Sequence, residues 1–198
     1  MKSKLKLAVL LCLLPLASIA QAAPDVVRGV IVSLANDTLT LKSADGASLT
    51  VALAKDWTVT LLKPIAVEAI EPGSFIGTAE IPQRDGTGRS LEVHVFPPGV
   101  KVGEGHYAWD LRKSSMMTNG TVGKVTAGAK GRELDVTYST GERKIIVPPG
   151  VPIVQFTDGE RSQIKPGISA FLIIKKTPSG GLTSNGITIG ENGAAPPM

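Results

Sequence analysis

Two long stretches of this chain carry the same order of strand and turn signals, and that repetition constrains the fold more than any single motif. From Val26 the sequence runs in short apolar-alternating segments broken by turn residues. Thr38-Leu39-Thr40-Leu41-Lys42 alternates strictly, so Leu39 and Leu41 share one face of a strand. Asp45-Gly46 follows as a hairpin turn, because Gly accepts the positive φ of tight primed turns. Val27–Leu34, Trp57–Leu61, Phe75–Ile81 and Leu91–Phe96 read as further strands, with one helical turn inside 65–70. Gly29-Val30-Ile31 then recurs as Gly120-Thr121-Val122, an offset of 91. Leu39, Leu41 and Gly46 recur as Leu134, Val136 and Gly141, an offset of 95. Ile70-x-Pro72-Gly73 and Val93-x-Val95 recur as Ile164-x-Pro166-Gly167 and Ile187-x-Ile189, an offset of 94. The offset drifts only where turns change length, which points to internal duplication. The predicted fold is all-β, with two tandem small β-barrels of the oligonucleotide/oligosaccharide-binding kind. The first module is expected over 23–97, a connector over 98–118, the second module over 119–192 and a flexible tail over 193–198.

The first 22 residues fit a signal peptide instead of fold. Lys2, Lys4 and Lys6 form a basic start, Leu7–Ile19 an apolar run, and Ala20-Gln21-Ala22 a small-x-small cleavage pattern. The run is shorter than the ~20 residues needed to cross ~30 Å of hydrocarbon. Cys12 lies in the middle of the run, not at its end as lipoprotein processing requires. Three of the 21 Lys and Arg residues fall in this segment and none of the 17 acids, so the remainder carries a net charge of +1. A near-neutral chain without clustered Lys or Arg is a poor partner for nucleic acid. The remainder has no cysteine, so packed cores rather than disulfides must hold it in the periplasmic or secreted location that a signal implies. No second apolar run approaches membrane-spanning length.

Each half resembles small β-barrel modules of unknown function that recur, often in tandem, in exported bacterial proteins. The matching pieces are Gly29–Ile31, Leu39–Leu41, Asp45-Gly46, Glu71-Pro72-Gly73 and Val93–Val95, with their second-half counterparts. The connector pieces Gly103–His106 and Trp109-Asp110 are similar to a subgroup sometimes labelled as metal-transporter components. A permease needs several membrane spans, which this sequence lacks after its first segment. The resemblance therefore implies a fold, and leaves a metal connection open.

The chemistry-bearing residues collect between Leu91 and Thr121. Acyl transfer needs a nucleophile, a base and an orienting group. There is no cysteine after residue 22, no G-x-S-x-G elbow, and only two histidines, so no enzymatic activity is expected. His94, His106, Met116 and Met117 form a candidate copper or zinc set, since imidazole suits both metals and thioether favours Cu(I). Their spacing matches no compact metal motif. The competing expectation is a solvent-facing His94, a loop His106 packed on Trp109, and methionines filling a gap between the halves. Tyr107 and Trp109 are the candidate ligand-contacting aromatics, because barrels of this kind stack ligands on an open face. An envelope protein, a glycan or a small ligand is the expected partner. The sequence thus predicts an exported, non-enzymatic binding or envelope-associated structural protein, with periplasmic metal binding as the alternative. Tyr107–Met117 carries too much apolar area to stay solvated, and is expected to fold back across a groove between the barrels with Trp109 mostly buried.

Overall fold

The computed structural model describes residues 23–198, and the predicted signal segment lies outside them. Among the described residues the secondary structure is all β, with three single 3-10 turns and no α-helix. No helix there is long and apolar enough to cross a membrane.

The first three strands are β1 (Val26–Ala35), β2 (Thr38–Lys42) and β3 (Ser48–Pro64), which form an antiparallel meander. The next are β4 (Phe75–Pro82), β5 (Gly88–Ser90) and β6 (Val93–Val95), then β7 (Gly105–Ala108) and β8 (Met116–Gly128). A second meander continues from β8 through β9 (Gly131–Tyr138) and β10 (Gly141–Val147). The chain ends with β11 (Ile153–Gly159), β12 (Ser169–Ile173), β13 (Lys175–Lys176) and β14 (Leu182–Gly190). Alternation drives the burial: along β2, Leu39 and Leu41 are fully buried while Thr38 and Lys42 are exposed.

The meander β1-β2-β3 closes into a five-stranded barrel through strands from the far end of the chain. β3 pairs parallel with β14, β14 pairs with β12, and β12 returns to β1. Ile31, Leu39, Leu41, Val51, Trp57 and Leu172 are among the residues that fill it. A second set of pairings also returns on itself. β8, β9 and β10 follow one another, β10 pairs parallel with β5, β5 pairs with β4, and β4 returns to β8. Ile76, Val93, Val122, Leu134, Val136 and Ile145 pack inside this second ring. The rings are joined through β11, which pairs antiparallel with the C-terminal part of β3, from Val59 opposite Gly159 to Pro64 opposite Val154, and parallel with β6, itself paired to β4.

The pairings therefore do not keep 23–97 and 119–192 as separate barrels. The first barrel combines strands from 26–64 with strands from 169–190, and the second ring lies between them in sequence. The predicted strand Trp57–Leu61 is the middle of the 17-residue β3, which continues beyond the barrel to Pro64 and carries the chain across to the other ring. The predicted connector 98–118 is not a bare link either. It holds β7 and the start of β8, whose backbone groups find each other from Gly105–Asn119 to Ala108–Met116. The predicted flexible tail ends in a packed residue: Met198 is buried with Leu62, Val154 and Phe171, and Arg28 Nε donates to its carbonyl at 2.9 Å.

Candidate functional site

A cleft of about 860 Å³ lies between the two rings. One wall comes from β3, β12 and β14, including Thr58, Thr60 and Phe171, and the other from β6, β8 and β11, including His94, Asn119 and Phe156. The segment from Val100 to Trp109 covers one side. Most of the exposed lining is apolar, and Thr, Ser and Asn side chains together with Asp158 and Lys175 supply the polar part.

Strand alternation puts His94 in this wall. Val93 and Val95 enter the second core, so Glu92 and His94 take the opposite side. That side is not solvent-facing, contrary to one of the sequence expectations. The His94 ring stacks on Phe156 of β11 at 5.1 Å between centroids and meets Phe96 edge-on at 5.3 Å, leaving it 4% exposed. Glu92 is fully buried. One of its carboxylate oxygens accepts the Ala79 N–H at 2.6 Å, and the other lies 3.0 Å from His94 Nδ1. A carboxylate only accepts, so Nδ1 carries a proton and the ring turns Nε2 away from Glu92.

Asn119 on β8 pairs with Gly77 of β4, which in turn pairs with His94. Its Nδ2 donates to the carbonyls of Val102 and Gly103, at 3.3 and 3.0 Å, and to the Tyr107 hydroxyl at 3.2 Å. Its Oδ1 is buried and has no partner among the described residues. A Cβ on Gly77 would overlap both His94 Nε2 and Asn119 Oδ1, so a glycine there lets these two atoms converge. Tyr107 is buried beside Met117 and Ala79, and burial raises its phenol above the ordinary range. Trp109 is partly buried, and its indole Nε1 is buried without a partner among the described residues. It packs at 6.3 Å from Tyr107 and 6.4 Å from Phe171, with the Arg28 guanidinium 5.7 Å from its centroid. Arg28 also grips Asp110 through two bonds of 2.9 and 2.7 Å, and these hold the Asp110 carboxyl below its usual range.

His106 belongs to a different environment. It pairs with Thr118, one residue before Asn119, so it lies on the opposite face of the sheet from His94. Its Nδ1 is 2.9 Å from Thr118 Oγ1 and 3.8 Å from Glu80 Oε1, and its ring stacks on Tyr138 at 6.2 Å. Glu80 is fully buried, with Arg143 Nε donating to Oε1 at 2.8 Å and Oε2 unpartnered among the described residues. Burial raises the Glu80 carboxyl against the opposing pull of Arg143. Burial, then the Arg143 charge, lowers the His106 imidazole.

The candidate metal set is therefore not assembled. His94 and His106 are on opposite faces, and Met116 and Met117 are separated by the same alternation. Among the described residues no three His, Cys, Asp or Glu side chains converge on one point. Of the sequence candidates, His94, Tyr107, Trp109 and Met117 line the cleft, while His106 and Met116 do not. Asn119, Phe156 and Phe171 were not singled out, and nothing local in the sequence marks them. Phe156 and Phe171 reach the site from strands about 60 residues beyond His94 and Trp109, and Asn119 reaches it by facing Gly77 across the β4–β8 pair.

No family model, curated protein or solved structure matches the chain.

Proposed function

We propose that this chain is an exported, non-enzymatic binding protein that holds a small, largely apolar molecule in the cleft between its two rings. The cleft itself carries the reading. Its volume of about 860 Å³ lies within the ~300–1,000 Å³ typical of small-molecule sites, and an apolar lining with a few convergent polar groups is their usual composition. Tyr107, Trp109, Phe156 and Phe171 offer flat apolar surface on both walls. Export rests on residues 1–22, and the resemblance to tandem modules of exported bacterial proteins points the same way.

The same reading includes an internally duplicated origin with exchanged strand pairs. Val26–Val30 face Ile173–Ser169 in the register in which Met117–Thr121 face Ala79–Phe75. At the β3–β11 crossing, Leu61 opposite Thr157 and Leu62 opposite Phe156 have the pattern of a local two-fold. Gly29 and Gly120, matched in sequence, also match in place: a Cβ on either would strike the partner strand's carbonyl, at Lys42 and Thr137 respectively. The cleft then lies where the two copies meet, as ligand sites at domain junctions do.

The test uses N-phenyl-1-naphthylamine, a neutral apolar dye that brightens on leaving water. Saturable enhancement at one dye per chain is expected, together with its loss in Phe156→Lys, which puts a charge in the wall. No enhancement, or enhancement indifferent to Phe156→Lys, would refute the cleft as a binding site.

A further inference from the structure

We propose that His94 and Asn119 form a subsite for the primary amino head, as an ammonium, of an apolar ligand. This rests on the cleft being a ligand site and adds the chemistry of the group it reads. The Asn119 amide has only one sensible orientation. Two of the Nδ2 partners, the carbonyls of Val102 and Gly103, can only accept, so the NH2 must face them and Oδ1 must face away. That oxygen is buried and waits for a donor. His94 Nδ1 is committed to Glu92 at 3.0 Å, so in the neutral ring Nε2 is also an acceptor without a donor. The two acceptors converge over Gly77, where the absence of a side chain lets His94 and Asn119 lie against the backbone.

A ligand hydroxyl has one proton and satisfies one of these atoms while turning a lone pair toward the other. A carboxylate brings only lone pairs. A primary ammonium has three N–H groups, enough to serve both acceptors at once. Two further features favour its charge. The Glu92 carboxylate is fully buried directly behind the imidazole, and its negative charge is relayed through the Nδ1 hydrogen bond. The aromatic rings of Phe96, Phe156 and Tyr107 line the same wall, and ring faces attract cations.

Calorimetric titration of the protein at neutral pH with octylamine, octanol and octanoate, matched in their apolar part, separates the possibilities. Octylamine should bind at least about tenfold more tightly than octanol, the worth of one charge-assisted hydrogen bond, and octanoate least of all. Asn119→Leu removes the amide acceptor, and Gly77→Ala fills the convergence point. Each should shrink the octylamine-to-octanol ratio to within about twofold. Octylamine and octanol binding equally well would overturn the amine subsite and leave the cleft standing. Tighter octanoate would mean that a cation of the cleft, Lys175 or Nε2 as an imidazolium, reads the head group, which also overturns it. A ratio unchanged in both variants would place the head group elsewhere. If none of the three probes binds, the cleft reading fails and this one with it. The ranking in the unaltered protein decides the matter even where a variant does not fold.

Discussion

Two side chains show how differently burial acts on single residues here. Trp57 is 3% exposed, donates from Nε1 to Asp37 at 2.8 Å, and has the Arg161 guanidinium 4.2 Å from its ring centroid. Trp57→Ala should cost about 3–5 kcal/mol, the range for truncating a core aromatic, measured as a shift in urea unfolding. Trp109 has less to lose. It is half-buried, and Trp109→Ala should cost about 2 kcal/mol in the same assay, below that range. His106 offers a pH signature. Its folded pKa lies below the ordinary 6.5, so the unfolded chain binds more protons, and stability is lost as pH falls below 6.5. His106→Asn should flatten the stability–pH slope on the acid side of that value. Glu80 works in the other sense. Its raised folded pKa makes its contribution greatest below the ordinary 4.5 and smaller as pH rises past it. Urea midpoints across pH 4 to 8 in His106→Asn and Glu80→Gln separate the two effects; a His106→Asn slope equal to the parent's would contradict the assigned environment.

At the level of strands, the sequence was informative about faces and silent about covers. Alternation placed Leu39 and Leu41 inward and set Glu92 and His94 together on one side of their strand, and both statements hold. It did not reveal that Phe156, some 60 residues later, lies over that side and makes it interior. Alternation also explains why the metal set fails: adjacent methionines, and histidines paired to adjacent residues, must diverge. The Arg28–Asp110 contact ties the segment after β7 to β1 across 82 positions, yet it is largely exposed. Asp110→Asn should therefore cost less than about 1 kcal/mol, while the apolar contacts of Trp109 keep the segment in place. Unfolding curves of Asp110→Asn and Trp109→Ala compared side by side check that order, and a larger effect for the aspartate would reverse it.

For the whole molecule, the all-β class was legible but the choice of strand partners was not. When two segments offer the same register and the same face, a strand pairs equally well with either copy, and sequence spacing alone does not choose between them. The chain closes its first barrel with strands from its far end, which changes what a cut should do. Trypsin cleavage at the exposed Lys101 should leave 23–101 and 102–198 travelling as one particle on size exclusion, because each ring holds strands from both pieces. They should separate only in denaturant. Two independently folded fragments after cleavage would contradict the observed pairings.

The order of pairing also has a history in time. The second ring is complete once Val147 is available, whereas the first barrel waits for β12 and β14, beginning at Ser169 and Leu182. The structure is nested like brackets, the inner pair shut before the outer. Until the last strands arrive, β1 and β3 present open edges, the kind of surface on which chains mispair with their neighbours. Contacts such as Val26 with Ile173 also span most of the sequence, which makes the closing step slow. A chain halted short of Ser169 would hold one finished ring and one unguarded sheet, so for this topology the strands within 169–190 decide whether those within 26–64 stay soluble or aggregate.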